Sequence, residues 1–251
     1  MKLLHIDCSM GAAGDMLTGA LLELLPEDER EDFVRGFNAL GIPGTVMETE
    51  PSVKCGVSGT HVHILVHGTE EGVNGDHLHH HHHDGPADIG HIVEDHLDLP
   101  QNIKDDILSV YRIIADAESR AHGVPVTQIH FHEVGQMDAI ADVTAVCMLM
   151  DRIGAGRVTA SPVNVGGGTV RCAHGILPVP APATANILEG IPSYEGDIKS
   201  ELCTPTGAAL LRYFVSSFGD APRMTEVRTG HGMGAKDFEK PNCVRAELGD
   251  T

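Results

Sequence analysis

The 251-residue chain has no tryptophan, and only three tyrosines and six phenylalanines. Its core must therefore rest on Leu, Ile, Val, Ala and Met, which suits helix-rich layers better than an aromatic-packed β-sandwich. Basic residues are also scarce. Lys and Arg together number 17 against 36 Asp and Glu, for a formal charge of −19. With no basic stripe to neutralise phosphates, nucleic acid is excluded as a partner, whereas an acidic surface with 17 histidines suits a cation. No apolar run approaches the roughly 20 residues a membrane span needs, so no membrane association is expected. The opening Met1-Lys2-Leu3-Leu4-His5-Ile6-Asp7 is charged too soon for a signal peptide and reads as a strand. The cysteines (Cys8, Cys55, Cys147, Cys172, Cys203, Cys243) form no Cys-x-x-Cys pair, which argues against a zinc ribbon or a secreted disulfide scaffold. The cytoplasm is the expected compartment, with most of the thiols buried as small apolar groups.

What the chain does have is punctuation: 29 glycines and 14 prolines. A buried strand over residues 2 to 8 leads through a small-residue turn to a helix capped by Asp15, whose apolar positions Met16, Leu17, Ala20, Leu21 and Leu24 recur at helical spacing. A second helix runs from Glu27 to Leu40, closed by Gly41 and Pro43. Two extended segments span Thr45 to Val66 around a turn near Cys55-Gly56, and in the second, His61, His63 and His67 share one face. Residues 68 to 86, almost all Gly, His, Asp and Glu, are expected to form a mobile loop. Helices follow at Ile89 to Leu97, Ile103 to His122 and Met137 to Ile153, the last apolar on most sides and hence central. Strands are expected at Arg157 to Val165 and Thr169 to Cys172, then a short helix at Ala183 to Leu188. A helix from Thr204 to Phe218 comes next, and two late strands flank a glycine-rich loop, Gly230 to Gly234. Strands and helices alternate irregularly, which predicts a mixed α/β (α+β-like) single domain over residues 1–251.

Three stretches could carry chemistry. The tract His77-Leu78-His79-His80-His81-His82-His83 offers imidazoles suited to nickel, copper or zinc; a solvated spacer is the alternative. In His130-Phe131-His132-Glu133 the two imidazoles point the same way along an extended segment, while Asp138 and Asp142 share a face of the following helix. Together they could ligate a divalent cation or act as acid and base, or simply cap a helix with an acidic face. Gly11 to Asp15 and Gly166-Gly167-Gly168, with Thr204 and Thr206 before Gly207, could offer backbone N–H groups to an anion; tight turns and caps are the alternative. His174 is a lone loop histidine.

Five segments in order, Asp7 to Met16 (D-C-S-M-G-A-A-G-D-M), His122 to Pro125, His130 to Asp142 (H-F-H-E-V-G-Q-M-D-A-I-A-D), Cys172 to Ala183 and Glu201 to Ala209, resemble the LarC family of nickel insertases. The resemblance implies an enzyme, a nickel chelatase or cyclometallase of the lyase class. It uses CTP to drive nickel into pyridinium-3,5-bisthiocarboxylic acid mononucleotide, making the nickel-pincer cofactor of lactate racemase. Nickel is then a substrate, and lactate racemase apoprotein an expected recipient. Family members continue into a C-terminal part associated with CTP and its Mg or Mn. The chain is therefore expected to be the N-terminal half, inactive without the C-terminal half, and to assemble as a homo-oligomer. On this reading His130, His132, Glu133 and Asp138 are catalytic candidates. Gly11, Gly14, Asp15, Gly166, Gly167, Gly168, Thr204 and Thr206 are candidates for holding the precursor. His77, His79 to His83, His130, His132, Asp142 and His174 are candidate nickel ligands. A nickel store or metallochaperone without catalysis is the second reading, and a metal-dependent hydrolase, which lacks the H-E-x-x-H pattern, the third.

Overall fold

A computed structural model of the chain describes residues 1–70, 85–129, 131, 137–172 and 175–251. The histidine tract 77–83 and the loop around it, with His130, His132, Glu133 and His174, lie outside the described residues. The elements run β1 (Lys2–Asp7), α1 (Gly14–Leu22), α2 (Glu27–Ala39), β2 (Thr45–Lys54), β3 (Val57–Val66), β4 (Thr69–Glu70), α3 (Pro86–His91), α4 (Gln101–His122) and α5 (Met137–Ile153). There follow β5 (Arg157–Ala160), β6 (Val163–Asn164), β7 (Thr169–Cys172), β8 (Gly175–Pro178), α6 (Pro182–Ile187), β9 (Ser193–Tyr194), α7 (Pro205–Phe214), β10 (Ser217–Phe218), β11 (Thr225–Met233) and β12 (Cys243–Asp250).

The main sheet has the order β10-β5-β1-β12-β11-β3-β2, with β4 added on β3. β1 runs parallel to β5 and antiparallel to β12. β11 runs antiparallel to β12 and parallel to β3. The fold is therefore mixed α/β, as the irregular alternation predicts. Leu3, Leu4, His5 and Ile6 are all buried, as in a strand covered on both faces. β2 and β3 form a hairpin whose two-residue turn, Cys55-Gly56, has positive φ at both positions (51° and 83°), the conformation that matches strand twist.

The helices cover this sheet in layers. α5 is buried nearly all round, from Ala139 to Ile153, and packs against α1 and α4. α4 turns Ile103, Ile107, Val110 and Ile114 inward and, at Gly123, closes on a left-handed residue as expected. α1 lies almost directly on β11. A Cβ on Gly232 would sit 1.7 Å from the Met16 carbonyl oxygen, and one on Gly230 would sit 2.2 Å from that of Ala20. That contact corrects the loop expected at Gly230 to Gly234: Gly230 and Gly232 are strand residues that let a helix backbone approach, and only Gly234 lies beyond the strand.

Other differences are local. The helix expected to reach Phe218 ends at Phe214, and Ser217–Phe218 returns to the sheet beside β5. The strand expected over Arg157 to Val165 is broken between Ala160 and Val163, where Pro162 cannot donate to a ladder. His67 leaves β3 at a turn with φ 52°, so only His61 and His63 of the three histidines share the strand face. No helix among the described residues is long and apolar enough to cross a membrane.

Candidate functional site

The site begins where the chain leaves β1 and enters α1. Gly11 has φ 83°, and the Leu202 carbonyl oxygen lies 1.9 Å from where its Cβ would be, so only glycine lets the two backbones cross here. Ala13, the N-cap of α1, offers no side-chain acceptor, and Asp15 lies one position inside the helix instead of capping it. The first-turn N–H of Asp15 donates to Asp142 on α5, whose carboxylate presses against Gly14: a Cβ there would sit 2.4 Å from Asp142 Oδ2. A carboxylate of the chain itself thus meets the positive end of this helix.

Asp142 is under strong electrostatic constraint. Burial, then the charges of Asp15 and Asp138, pushes its carboxyl well above the usual carboxylate range. Its Oδ1 has no hydrogen-bond partner among the described residues. Burial likewise raises Asp15, with His61 pulling it down and Glu70 pushing it up. Asp15 is thus electrostatically linked both to Asp142 and to a second polar group from β3 and β4. The buried Tyr111 of α4 lies close enough for Asp138 and Asp142 to add to the effect of burial on its hydroxyl, which is raised well above its ordinary value. Asp138 Oδ1 accepts the Ala139 N–H at 2.7 Å at the start of α5.

The second group is His61, His63 and Glu70, each of which offers one ligand atom within 4.8 Å of the others. His61 Nδ1 lies 2.7 Å from the Met233 carbonyl oxygen on β11. His63 is held at both ends, Nδ1 3.2 Å from Glu70 Oε2 and Nε2 3.2 Å from Glu50 Oε1. The two imidazole centroids are 4.2 Å apart, edge to face. Burial disfavours the charged form of His63, but hydrogen bonds from Glu70 and Glu50 outweigh it and raise the pKa above the ordinary histidine value. Two imidazoles and several carboxylates in one half-buried place form the donor mixture that binds borderline divalent metals. The carboxylate pair beside it can also give or take a proton.

The structure thus brings together Asp15, Asp138 and Asp142 among the residues singled out in the sequence. It gathers most of the candidate anion-binding glycines elsewhere, around residues 200 to 204. A Cβ on Gly166 would lie 1.9 Å from the Ser200 carbonyl oxygen, and Gly167 and Gly168 face Glu195 and Lys199. Thr204 caps α7, its Oγ1 accepting the Gly207 N–H at 3.1 Å, and Thr206 is buried. The glycines at 11, 166 and 207 therefore each have a packing reason to be glycine. Glu50 and Glu70 escaped the sequence reading, although one signal pointed to the first: counting back from the Cys55-Gly56 turn puts Glu50 opposite His61.

A family model described as "Nickel insertion protein" matches residues 4–251. Among curated proteins, the chain is 39% identical to a pyridinium-3,5-bisthiocarboxylic acid mononucleotide nickel insertion protein of Desulfitobacterium hafniense, covering 100% of this chain and 59% of that one. It is 35% identical to a protein of the same description from Geobacillus kaustophilus, covering 100% of this chain and 60% of the relative. A third such relative, from Staphylococcus epidermidis, is 38% identical over 97% of this chain and 58% of its own length. The chain spans about 60% of the length of these relatives. No solved structure matches.

Proposed function

Because the chain belongs to the nickel insertion protein family, we propose that it holds nickel for insertion into pyridinium-3,5-bisthiocarboxylic acid mononucleotide, completing a nickel-pincer cofactor. The observation that carries this reading is the family match from residue 4 to residue 251, which takes in every element around the site. The geometry supports it: imidazole and carboxylate donors are gathered in one place, and a half-buried carboxylate pair with raised pKa lies at the start of α1. Imidazole and carboxylate hold a borderline cation without the permanence of a closed thiolate cage, as suits a metal that has to leave.

Joining nickel to a ring carbon releases a proton from that carbon. Asp142, with Asp15 and Asp138 near it, is proposed to receive that proton, and His130, His132 and Glu133 are the candidates from the neighbouring segment. His174 is a further candidate ligand. The tract His77 to His83 follows Glu70 along the chain, and its proposed task is to gather nickel where the metal is scarce. CTP, with Mg or Mn, is assigned to the part of the relatives that extends beyond the match, and the chain is proposed to need that part for turnover as a lyase. Lactate racemase apoprotein is the proposed recipient of the product.

The test uses the chain joined to that remaining part, with cofactor formation followed by mass spectrometry. Asparagine in place of His77 and His79 to His83 is expected to slow cofactor formation at limiting nickel and leave it unchanged at saturating nickel. His132→Ala is expected to lower the rate at both. An undiminished rate would remove His132 from the mechanism, and no nickel-dependent mass change in any variant would overturn the reading.

A further inference from the structure

Once Glu50 and Met233 are included, the His61, His63 and Glu70 cluster is more specific than a collection of polar side chains. The Met233 carbonyl can only accept, so the 2.7 Å bond to His61 Nδ1 requires the proton to sit on Nδ1. The lone pair is then on Nε2, on the opposite edge of the ring. His63 is arranged the other way round, with Nε2 toward Glu50 and Nδ1 toward Glu70. Histidines that bind metals characteristically give their second nitrogen to a carbonyl or a carboxylate, which fixes the tautomer and the ring plane. Both partner types are in place here, one for each ring.

The spacing fits as well. With bonds of about 2.1 Å, neighbouring donors on a first-row metal stand about 3.0 to 3.4 Å apart and opposed donors about 4.2 Å apart. His63 Nδ1 and Glu70 Oε2 are separated by 3.2 Å, which is already the spacing of neighbouring donors. One ligand atom from each of the three residues lies within 4.8 Å of the others, close to the spacing of opposed donors on one metal. Asp15 acts electrostatically on this group, taking opposite effects from His61 and Glu70. Two imidazoles among the donors favour nickel, cobalt or zinc over magnesium or calcium.

We infer that His61 through Nε2, His63 through Nδ1 and Glu70 form an ordered site for a borderline divalent metal that does not draw its ligands from the histidine tract, with Met233 and Glu50 orienting the two rings. The inference rests on the nickel-handling reading and deepens it: this is where the metal is seated before it passes toward the carboxylate pair.

The test is nickel calorimetry on the 251-residue chain carrying asparagine at 77 and 79 to 83. One equivalent of nickel is expected to bind. Glu70→Gln and His63→Gln, each checked by circular dichroism, are expected to weaken that binding at least tenfold. A readout that needs neither substitution is NMR: nickel should broaden the ring signals of His61 and His63 before those of His5 and His231. Absent binding, unchanged affinity in Glu70→Gln, or sharp His61 and His63 signals at saturation would overturn the site. Nickel bound as described, but no cofactor formed by the protein joined to its remaining part, supports the site and overturns the insertion reading. Cofactor formed normally by a Glu70→Gln variant of unchanged nickel affinity overturns the site and leaves insertion standing.

Discussion

Gly232→Ala couples the packing of the fold to the geometry of the site with one added methyl group. The new Cβ would lie 1.7 Å from the Met16 carbonyl oxygen and 2.5 Å from the Ala20 nitrogen, both backbone atoms of α1 that no rotamer change can move. Ordinary contact needs about 3.4 Å or more, so α1 and β11 must separate by well over 1 Å. Overpacking of this kind costs about 1–3 kcal/mol where the surroundings yield, and more where they do not. Here both sides are backbone, so a loss of about 3 kcal/mol or more is expected. For a chain of this size that lowers Tm by roughly 6–12 °C. The control is Gly36→Ala on α2, where an added Cβ meets nothing within 4 Å; helix propensity there predicts a gain of about 0.5–1 kcal/mol. Since Met233, next in β11, supplies the carbonyl that orients His61, the displaced variant should also bind nickel more weakly, whereas Gly36→Ala should not. Thermal unfolding followed by circular dichroism, with calorimetry at a temperature where both variants are folded, measures both effects. A Gly232→Ala protein that melts within about 2 °C of the parent would refute the reasoning.

Further expectations concern single side chains. Asp142 has its folded pKa raised, so the stability it contributes is complete below its unfolded value of about 3.9 and is lost as pH rises through the folded pKa. Asp142→Asn should flatten the decline that begins above about pH 4, and superimposable Tm-against-pH curves for the two proteins would count against the coupled carboxylates. His63 is raised by Glu70 and Glu50, so its ion pairs add stability below about pH 6.5 and lose it as pH rises through the folded value. His63→Gln should therefore cost about 0.2–1 kcal/mol at pH 6 and nearly nothing at pH 9, as read by denaturant titration. Thr204→Ala removes the cap on Gly207 and should cost about 1 kcal/mol in the same assay; no change would show that the α7 N-terminus finds another acceptor.

The parts of this fold that could be read from the sequence were those set by local rules. The buried strand from Leu3 to Ile6, the Cys55-Gly56 turn, the central α5 and the left-handed stop at Gly123 follow from periodicity and from backbone freedom at glycine. Gly230 and Gly232 were harder, because glycine in a loop and glycine beneath a helix look the same until α1 is placed on β11. The metal-ligand cluster illustrates the same limit. His61 and His63 were visible as neighbours on one face, but Glu70 joins them only through β4 folding back on β3. Asp142 stood out by its spacing from Asp138, but not its contact with the N-terminus of α1, which depends on the crossing of two helices far apart in sequence.

The central claim is that nickel held by this chain ends up bonded to the organic precursor. The most direct measurement loads the chain, joined to the remaining part of a relative, with radioactive nickel and removes unbound metal. Pyridinium-3,5-bisthiocarboxylic acid mononucleotide and CTP are then added, and the small-molecule fraction is separated. Radioactivity that moves into that fraction at the mass of the nickel-bearing cofactor, and only when precursor is present, is the predicted result. Nickel that stays with the protein, or leaves as free ion at the same rate with and without precursor, would contradict the account.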